Sequence, residues 1–405
     1  MIVGFANRVV RHTQVRRLGL IVTILFMNNL AVGAARSLFP VYIERDLGLS
    51  PAFTGALLSV ETALGGIISV VAGAMADRLG HRLVLVIGIV GFSAGFLQFV
   101  TGVPWLLVLL AVILGLAHGM RSTAGQSYLL NASSQQSVGV ATAAFFLGGT
   151  IGTAVSAAVA GPVIEAYGFG AYAVGGLVIN IVPAVLTVCF LHDVRPTRRQ
   201  SAGDRERSLR EILVRREIFL MGGLRFFPTA FWGVWSLALP LLIFRATGSV
   251  LATALYGSAG MALSAIGQFT IGRWSDRVGR ARPIFTVLGV QVIVSLVAAI
   301  AWEHPTFLVP AGILGVVGGW TMSVLVLGTV RDRTIENERG RVVGFIHALW
   351  SFGLLLGTLL AGVLLDLHPT IPLLFAALAN VAALLIALRL FREVAPPATM
   401  SETHG

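Results

Sequence analysis

The chain has 405 residues, 56% of them hydrophobic and 12% charged, with a mean hydropathy of +0.87. Soluble domains carry about 25% charged residues, disorder needs low hydrophobicity with high charge, and a lone cysteine, Cys189, excludes an internal disulfide framework. The net charge of +11 comes from 29 arginines against 18 acids, with no lysine; in so apolar a chain this excess orients a membrane protein rather than binding nucleic acid.

A helix that crosses a bilayer core of about 30 Å needs about 20 mostly apolar residues. Twelve stretches qualify: 18–43, 51–76, 82–101, 104–128, 138–165, 169–191, 218–244, 249–272, 283–302, 306–329, 342–366 and 370–391. They are continuously apolar and lack a period of two, so transmembrane strands fit poorly. The first follows Arg8, Arg11, Arg16 and Arg17. It is too long for a signal-peptide core and ends in no small-residue cleavage site, so an uncleaved helix is expected.

Span 1 carries Asn28, Asn29 and Arg36, and span 2 carries Glu61, the one carboxylate well inside a span. At about 1.5 Å per residue, Arg36 lies about 27 Å from the end of span 1 near Leu18, and Glu61 about 22 Å from the end of span 2 near Ala76. Consecutive antiparallel helices therefore bring them to similar depth, where they either pair or face one cavity. Such a pair is either a static link between spans 1 and 2 or a switch. A paired carboxylate keeps its charge, and one that loses its arginine takes up a proton. Ionisable groups at membrane depth are costly and are functional candidates.

Span 2 ends in Gly73-Ala-Met-Ala-Asp77-Arg78-Leu-Gly80-His-Arg82. Gly73 is expected to allow close helix approach, and Gly80 a tight turn. His118 and Arg121 in span 4 are three apart and share a face. Arg121 either reaches the membrane interface, joins Asp77 or lines the site. Span 5 carries Gly148 and Gly152, a small-xxx-small packing face. The stretch from His192 to Glu217 holds 8 arginines, 5 acids and no apolar run, a charged linker in which 208–216 could form a short surface helix.

Span 7 brings Arg225, read as reaching towards the interface, and an aromatic set. Within that set Phe231, Trp232 and Trp235 stand at helical spacing, either lining a cavity or anchoring the interface. Span 8 ends in Gly272-Arg-Trp-Ser-Asp276-Arg277-Val-Gly279-Arg280, and Gln268, Trp320, His347, Trp350 and Asn380 follow in spans 8, 10, 11 and 12.

Arginine counting sets the topology. With the N-terminus inside, inner segments hold 24 arginines and outer loops only Arg45 and Arg245, so both termini are expected in the cytoplasm of a plasma-membrane protein. The chain also repeats itself. Asp77 and Asp276 are 199 apart, Gly115 and Gly119 recur at Gly315 and Gly319, and Gly148 and Gly152 recur at Gly353 and Gly357. None of Arg36, Glu61, His118, Arg121 and Arg225 is duplicated, so shared residues build the scaffold and unshared charges differentiate the site.

The Gly-x-x-x-Asp-Arg-x-Gly-x-Arg loop, its second copy and the six-plus-six division resemble the major facilitator superfamily. The resemblance implies an all-α membrane protein of twelve transmembrane helices in two pseudo-symmetric six-helix bundles, 1–191 and 218–405, joined by a linker at 192–217. It also implies a cytoplasmic latch formed by Gly73, Asp77, Arg78, Gly80 and Arg82, with a weaker copy in Gly272, Asp276, Arg277, Gly279 and Arg280. Antiporters of that family often carry Gly-x-x-x-Gly-Pro in helix 5. Here Thr153 stands where that proline would be, which weakens the case for antiport.

The function expected is secondary transport by alternating access, with proton-coupled export of a small amphipathic or hydrophobic compound. The alternatives are uptake or facilitated diffusion of a small nutrient, anionic or not, and a membrane sensor that moves nothing. Site candidates are Arg36, Glu61, His118, Arg121, Asn28 and Trp235. No phosphate loop, serine elbow or metal-spaced cluster occurs, so no enzyme chemistry, metal or cofactor is expected. The expected partners are the lipid bilayer, a small-molecule substrate and protons, with no nucleic acid and a monomeric state.

Overall fold

The computed structural model describes residues 2–133, 138–193, 215–334 and 336–393, except the side chains of 2–14, 77, 138–140, 336–341 and 393. Every regular element among them is helical. This is the open-ended way a single chain satisfies its backbone in lipid, because each N–H and C=O pairs within its own helix.

Span 1 is built from two helices, Ile2–Val32 and Ala35–Arg45. Span 2 is Pro51–Leu79. Span 3 joins His81–Gly91, Ser93–Leu97 and the 3-10 turn Gln98–Val100, and span 4 is Pro104–Ala132. Spans 5 and 6 are the two limbs of the helical run Val138–Phe190, which breaks at Gly168 with φ 80°. Spans 7 to 12 are Arg216–Thr247, Val250–Val278, Ala281–Ile300, Pro305–Arg333, Glu336–Leu367 and Thr370–Glu393.

The boundaries follow local chemistry. Ser50 precedes Pro51 and its side chain accepts from Phe53 N, and Ser249 does the same for Ala252 N. Gly80 (φ 95°) and Gly279 (φ 82°) turn the chain between spans 2 and 3 and between spans 8 and 9 in a backbone region that disfavours other residues. The helix of span 7 begins at Arg216, inside the stretch read as linker. Residues 194–214 of that stretch, including 208–214 of the expected surface helix, lie outside the described residues.

The outside of the bundle is apolar. Val70 is 81% exposed, Ile300 84% and Leu378 65%, a surface that only lipid would cover favourably. Within the bundle, span 1 packs on span 5 and span 7 on span 11, at equivalent glycines. A Cβ on Gly152 would fall 2.7 Å from Phe26 O, and one on its counterpart Gly357 would collide with Ala230 O. Such positions exclude any larger residue and bring the backbones into contact. The six-span groups meet along spans 2 and 11 and spans 5 and 8.

Candidate functional site

Span 1 breaks at Gly33 and Ala34, and Ala34 N donates to Ser156 Oγ of span 5 at 3.0 Å. The restarted helix places Arg36 in its first turn. The Arg36 Nη1 reaches Glu61 Oε1 at 3.1 Å and Nη2 reaches Thr62 Oγ1 at 3.4 Å. Glu61 is held against span 4 by a close crossing, for a Cβ on Gly115 would lie 2.6 Å from Glu61 O. The side chain of Glu61 is 11% accessible and that of Arg36 is 32% accessible. The carboxylate is thus enclosed, while the guanidinium keeps an open side.

His118 and Arg121 share the helix face expected of them. Both reach Phe92 of span 3, the imidazole at 5.8 Å between ring centroids and the guanidinium at 4.6 Å above the ring. A Cβ on Gly88 would collide with the backbone of Arg121, so span 3 packs tightly there. The His118 ring lies within electrostatic reach of Arg36, Arg121 and His347, the last from span 11 in the other half.

In the second half Arg225 turns inward. Its Nη1 donates to Ser323 Oγ of span 10 at 2.9 Å, and its guanidinium sits 5.9 Å from the centre of the Trp350 ring. His347 stacks on the same indole at 5.1 Å. The sequence suggests that Arg225 reaches towards the interface; the hydroxyl on span 10 and the indole on span 11 hold it within the bundle instead. A polar residue facing an arginine from a distant helix leaves no mark in the local sequence.

Two candidates stand away from this place. Trp235 is fully buried, stacked on Phe231 at 4.8 Å, and donates through Nε1 to Gly312 O at 2.9 Å. It is core between spans 7 and 10 and lines no cavity. Trp232, on the neighbouring face, meets Trp320 at 6.1 Å and is partly open. Asn28 is also fully buried and donates to Asn180 Oδ1 at 2.8 Å, while Asn180 donates to Ile89 O. It ties spans 1, 3 and 6 together as a structural polar link.

The two loop motifs bind their own halves. Arg82 N donates to Asp193 Oδ1 at 2.8 Å and the Arg82 guanidinium donates to Val188 O, so spans 3 and 6 cap each other. Arg280 donates to Ser275 Oγ, to Asp276 at 2.9 Å and to Asp332 at 2.8 Å. Partial burial works against its charge, and the Asp332 and Asp276 carboxylates outweigh that and hold the guanidinium above its ordinary range. Arg78 and Arg277 are exposed, and the Asp77 side chain lies outside the described residues. Close approach at Gly73 and Gly272 is not found. Their nearest neighbours would stand 3.8 and 3.9 Å from an added Cβ, which is ordinary contact. The tight crossings sit deeper, at Gly115.

Polar contacts join the halves at the face opposite the described chain ends. Arg245 of span 7 pairs with Glu44 of span 1 through two hydrogen bonds, the Nε one at 2.8 Å. Glu165 accepts from Ser249 Oγ at 2.6 Å and Leu251 N at 2.9 Å at the start of span 8. Asp366 accepts from Ala52 N at 3.2 Å at the start of span 2. The last two are related by the repeat: each half sends a carboxylate from its fifth helix to the N-terminus of the other half's second helix, where the helix dipole favours it. Midway along their length, spans 5 and 8 leave a groove of about 370 Å³ lined by Ile151, Ala154, Val155, Ala158, Ala262 and Ala265, among others.

The same organisation appears in known proteins. The nucleoside transporter NupG superposes with a TM-score of 0.77 at 14% identity, over 92% of this chain and 99% of that one. A bacterial homologue of the human lysosomal transporter Spinster, in an inward-facing and unoccupied conformation, superposes with a TM-score of 0.75 at 13% identity, over 95% and 99%. In sequence, a class H tetracycline resistance protein of Pasteurella multocida is 33% identical over 127 residues, 30% of each chain. The quinolone resistance protein NorA of Staphylococcus aureus is 34% identical over 97 residues, 24% of this chain and 25% of that protein. The chain thus matches under a third of the length of these relatives. The family model of the Major Facilitator Superfamily matches residues 21–261 and 224–404. With twelve spans, duplicated loop motifs and this match over nearly the whole described chain, the protein belongs to the Major Facilitator Superfamily.

Proposed function

We propose that the chain is a secondary transporter working by alternating access, exporting a small amphipathic or hydrophobic compound in exchange for protons. The observation that carries the reading is the Arg36–Glu61 pair at 3.1 Å, inside the membrane and between spans 1 and 2. A carboxylate enclosed in protein at that depth is stable ionised only while its arginine faces it. Movement of span 1 against span 2 would separate the two and call for a proton. The break at Gly33 and Ala34 puts a joint next to Arg36. The partial similarity to proteins named for tetracycline and quinolone resistance is compatible with removal of a compound from the cell.

Two rigid groups, 1–191 and 218–405, would rock about the site, with 192–217 as the link. The contacts of Glu44, Glu165 and Asp366 would close one face and the loop motifs of Asp77 and Asp276 would latch the other. The arginine bias supports an orientation with the termini and those loop motifs in the cytoplasm of a plasma-membrane protein.

The test is pH-gradient collapse in liposomes that hold the purified protein, against lipophilic cations, sugars and organic anions. Proton movement with one class of compound, lost in Glu61→Gln, is the expected result. Labelled compound crossing with the gradient untouched would remove proton coupling and leave facilitated diffusion.

A further inference from the structure

The fixed charges of the central region do not balance. Arg36, Arg121 and Arg225 bring three guanidiniums to membrane depth, and Glu61 alone answers them, already engaged by Arg36. Among the described residues neither Arg121 nor Arg225 has a carboxylate partner. Arg121 rests on Phe92 between spans 3 and 4. Both are partly open, but the Arg121 Nε is itself buried, whereas Arg225 gives one Nη to Ser323. The rest of its planar fork of donors has no partner among the described residues. Such a fork matches a carboxylate or a similar oxyanion with two parallel hydrogen bonds.

Its surroundings extend the match. Trp350 supplies a flat face under the guanidinium, and the exposed His347 stacks on that same indole. Two turns further along span 7, Trp232 and Trp320 meet edge to face, and the Trp320 Nε1 is buried without a partner. Charge therefore lies at one end of this wall and aromatic surface at the other.

We infer that Arg225, with Ser323, His347 and Trp350, forms a binding subsite for the anionic head of an amphipathic organic anion whose flat apolar body lies towards Trp232 and Trp320. The inference rests on the transporter reading and names the substrate class of that same site. Arg225 and Glu61 belong to different halves, so the anion and the coupling proton occupy separate groups. Outward movement of an anion and inward movement of a proton shift charge in the same direction, so an inside-negative potential favours the exchange.

The experiment is calorimetric binding to the purified full chain, with 2-naphthoate, its neutral amide 2-naphthamide and 2-naphthylmethylamine as probes. The expected result is naphthoate binding at least about tenfold tighter than the amide, with the amine weakest. Arg225→Gln is expected to erase the preference by weakening naphthoate far more than the amide, and Arg225→Lys, which keeps the charge and loses the fork, to retain part of it. Equal binding of the three probes, or a preference that survives Arg225→Gln, would overturn the subsite. The outcome separates from proton coupling. Glu61→Gln is expected to keep naphthoate binding while losing proton movement. Proton-coupled flux of some other compound, without naphthoate binding, would overturn the subsite alone.

Discussion

Glu61 and Arg36 depend on each other for burial. Removing the arginine leaves a carboxylate enclosed by spans 2 and 4, and removing both removes the unpaired charge as well. Arg36→Gln is therefore expected to lower stability by roughly 1–3 kcal/mol, between the limits for exposed and fully buried pairs. Arg36→Gln with Glu61→Gln is expected to recover most of that in thermal unfolding of the detergent-purified protein. A double variant no more stable than the single one would mean the pair carries no mutual energy. This pairing was legible from residue counts, because consecutive antiparallel helices share a depth axis and the rise per residue is constant. Trp235 and Asn28 were not legible in the same way. Depth says nothing about which way a helix faces, and both point into protein, at Gly312 and Asn180.

At the scale of the helix, glycines decide where the site can be. Gly115 lets span 4 close on the backbone of Glu61, whereas Gly73, in the motif, touches nothing closely. Gly115→Val is expected to cost about 1–3 kcal/mol through overpacking and to impair proton movement by displacing Glu61. Gly73→Ala is expected to leave thermal stability within about 0.5 kcal/mol. Comparable melting losses in both variants would show that the crossing at Gly115 is not tighter than the one at Gly73. The glycine periodicity was visible in the sequence at Gly148, Gly152, Gly353 and Gly357, and these positions do seat spans 5 and 11 on spans 1 and 7. The same pattern misled at Gly73 and Gly272, since a motif does not say how near the next helix comes.

The whole molecule is held at one face by Glu44–Arg245 and by the two carboxylates Glu165 and Asp366 at opposing helix starts. Neutralising both carboxylates, Glu165→Gln with Asp366→Asn, is expected to favour opening of that face. Ser59 hydrogen-bonds Thr358 at 3.0 Å in the buried seam behind it. In a Cys189→Ser background, a cysteine at position 59 is expected to react with maleimide about tenfold faster in the double variant, the change that about 1.4 kcal/mol of bias produces. Unchanged labelling would mean that the apolar seam alone keeps the face shut.

The sequence by itself determined the number of spans, the duplication, the superfamily resemblance and which charges lie at membrane depth. These are properties along one axis: lipid imposes a length on each apolar run and a penalty on each charge within it. The tertiary structure decided which of those charges meet. Arg36 turns to Glu61 because span 1 restarts after Gly33, Arg225 turns to Ser323 and Trp350, and Trp235 disappears into the core. Rotation of a helix about its axis is set by the helices packed around it, at contacts such as Gly115 against Glu61, between residues far apart in the chain.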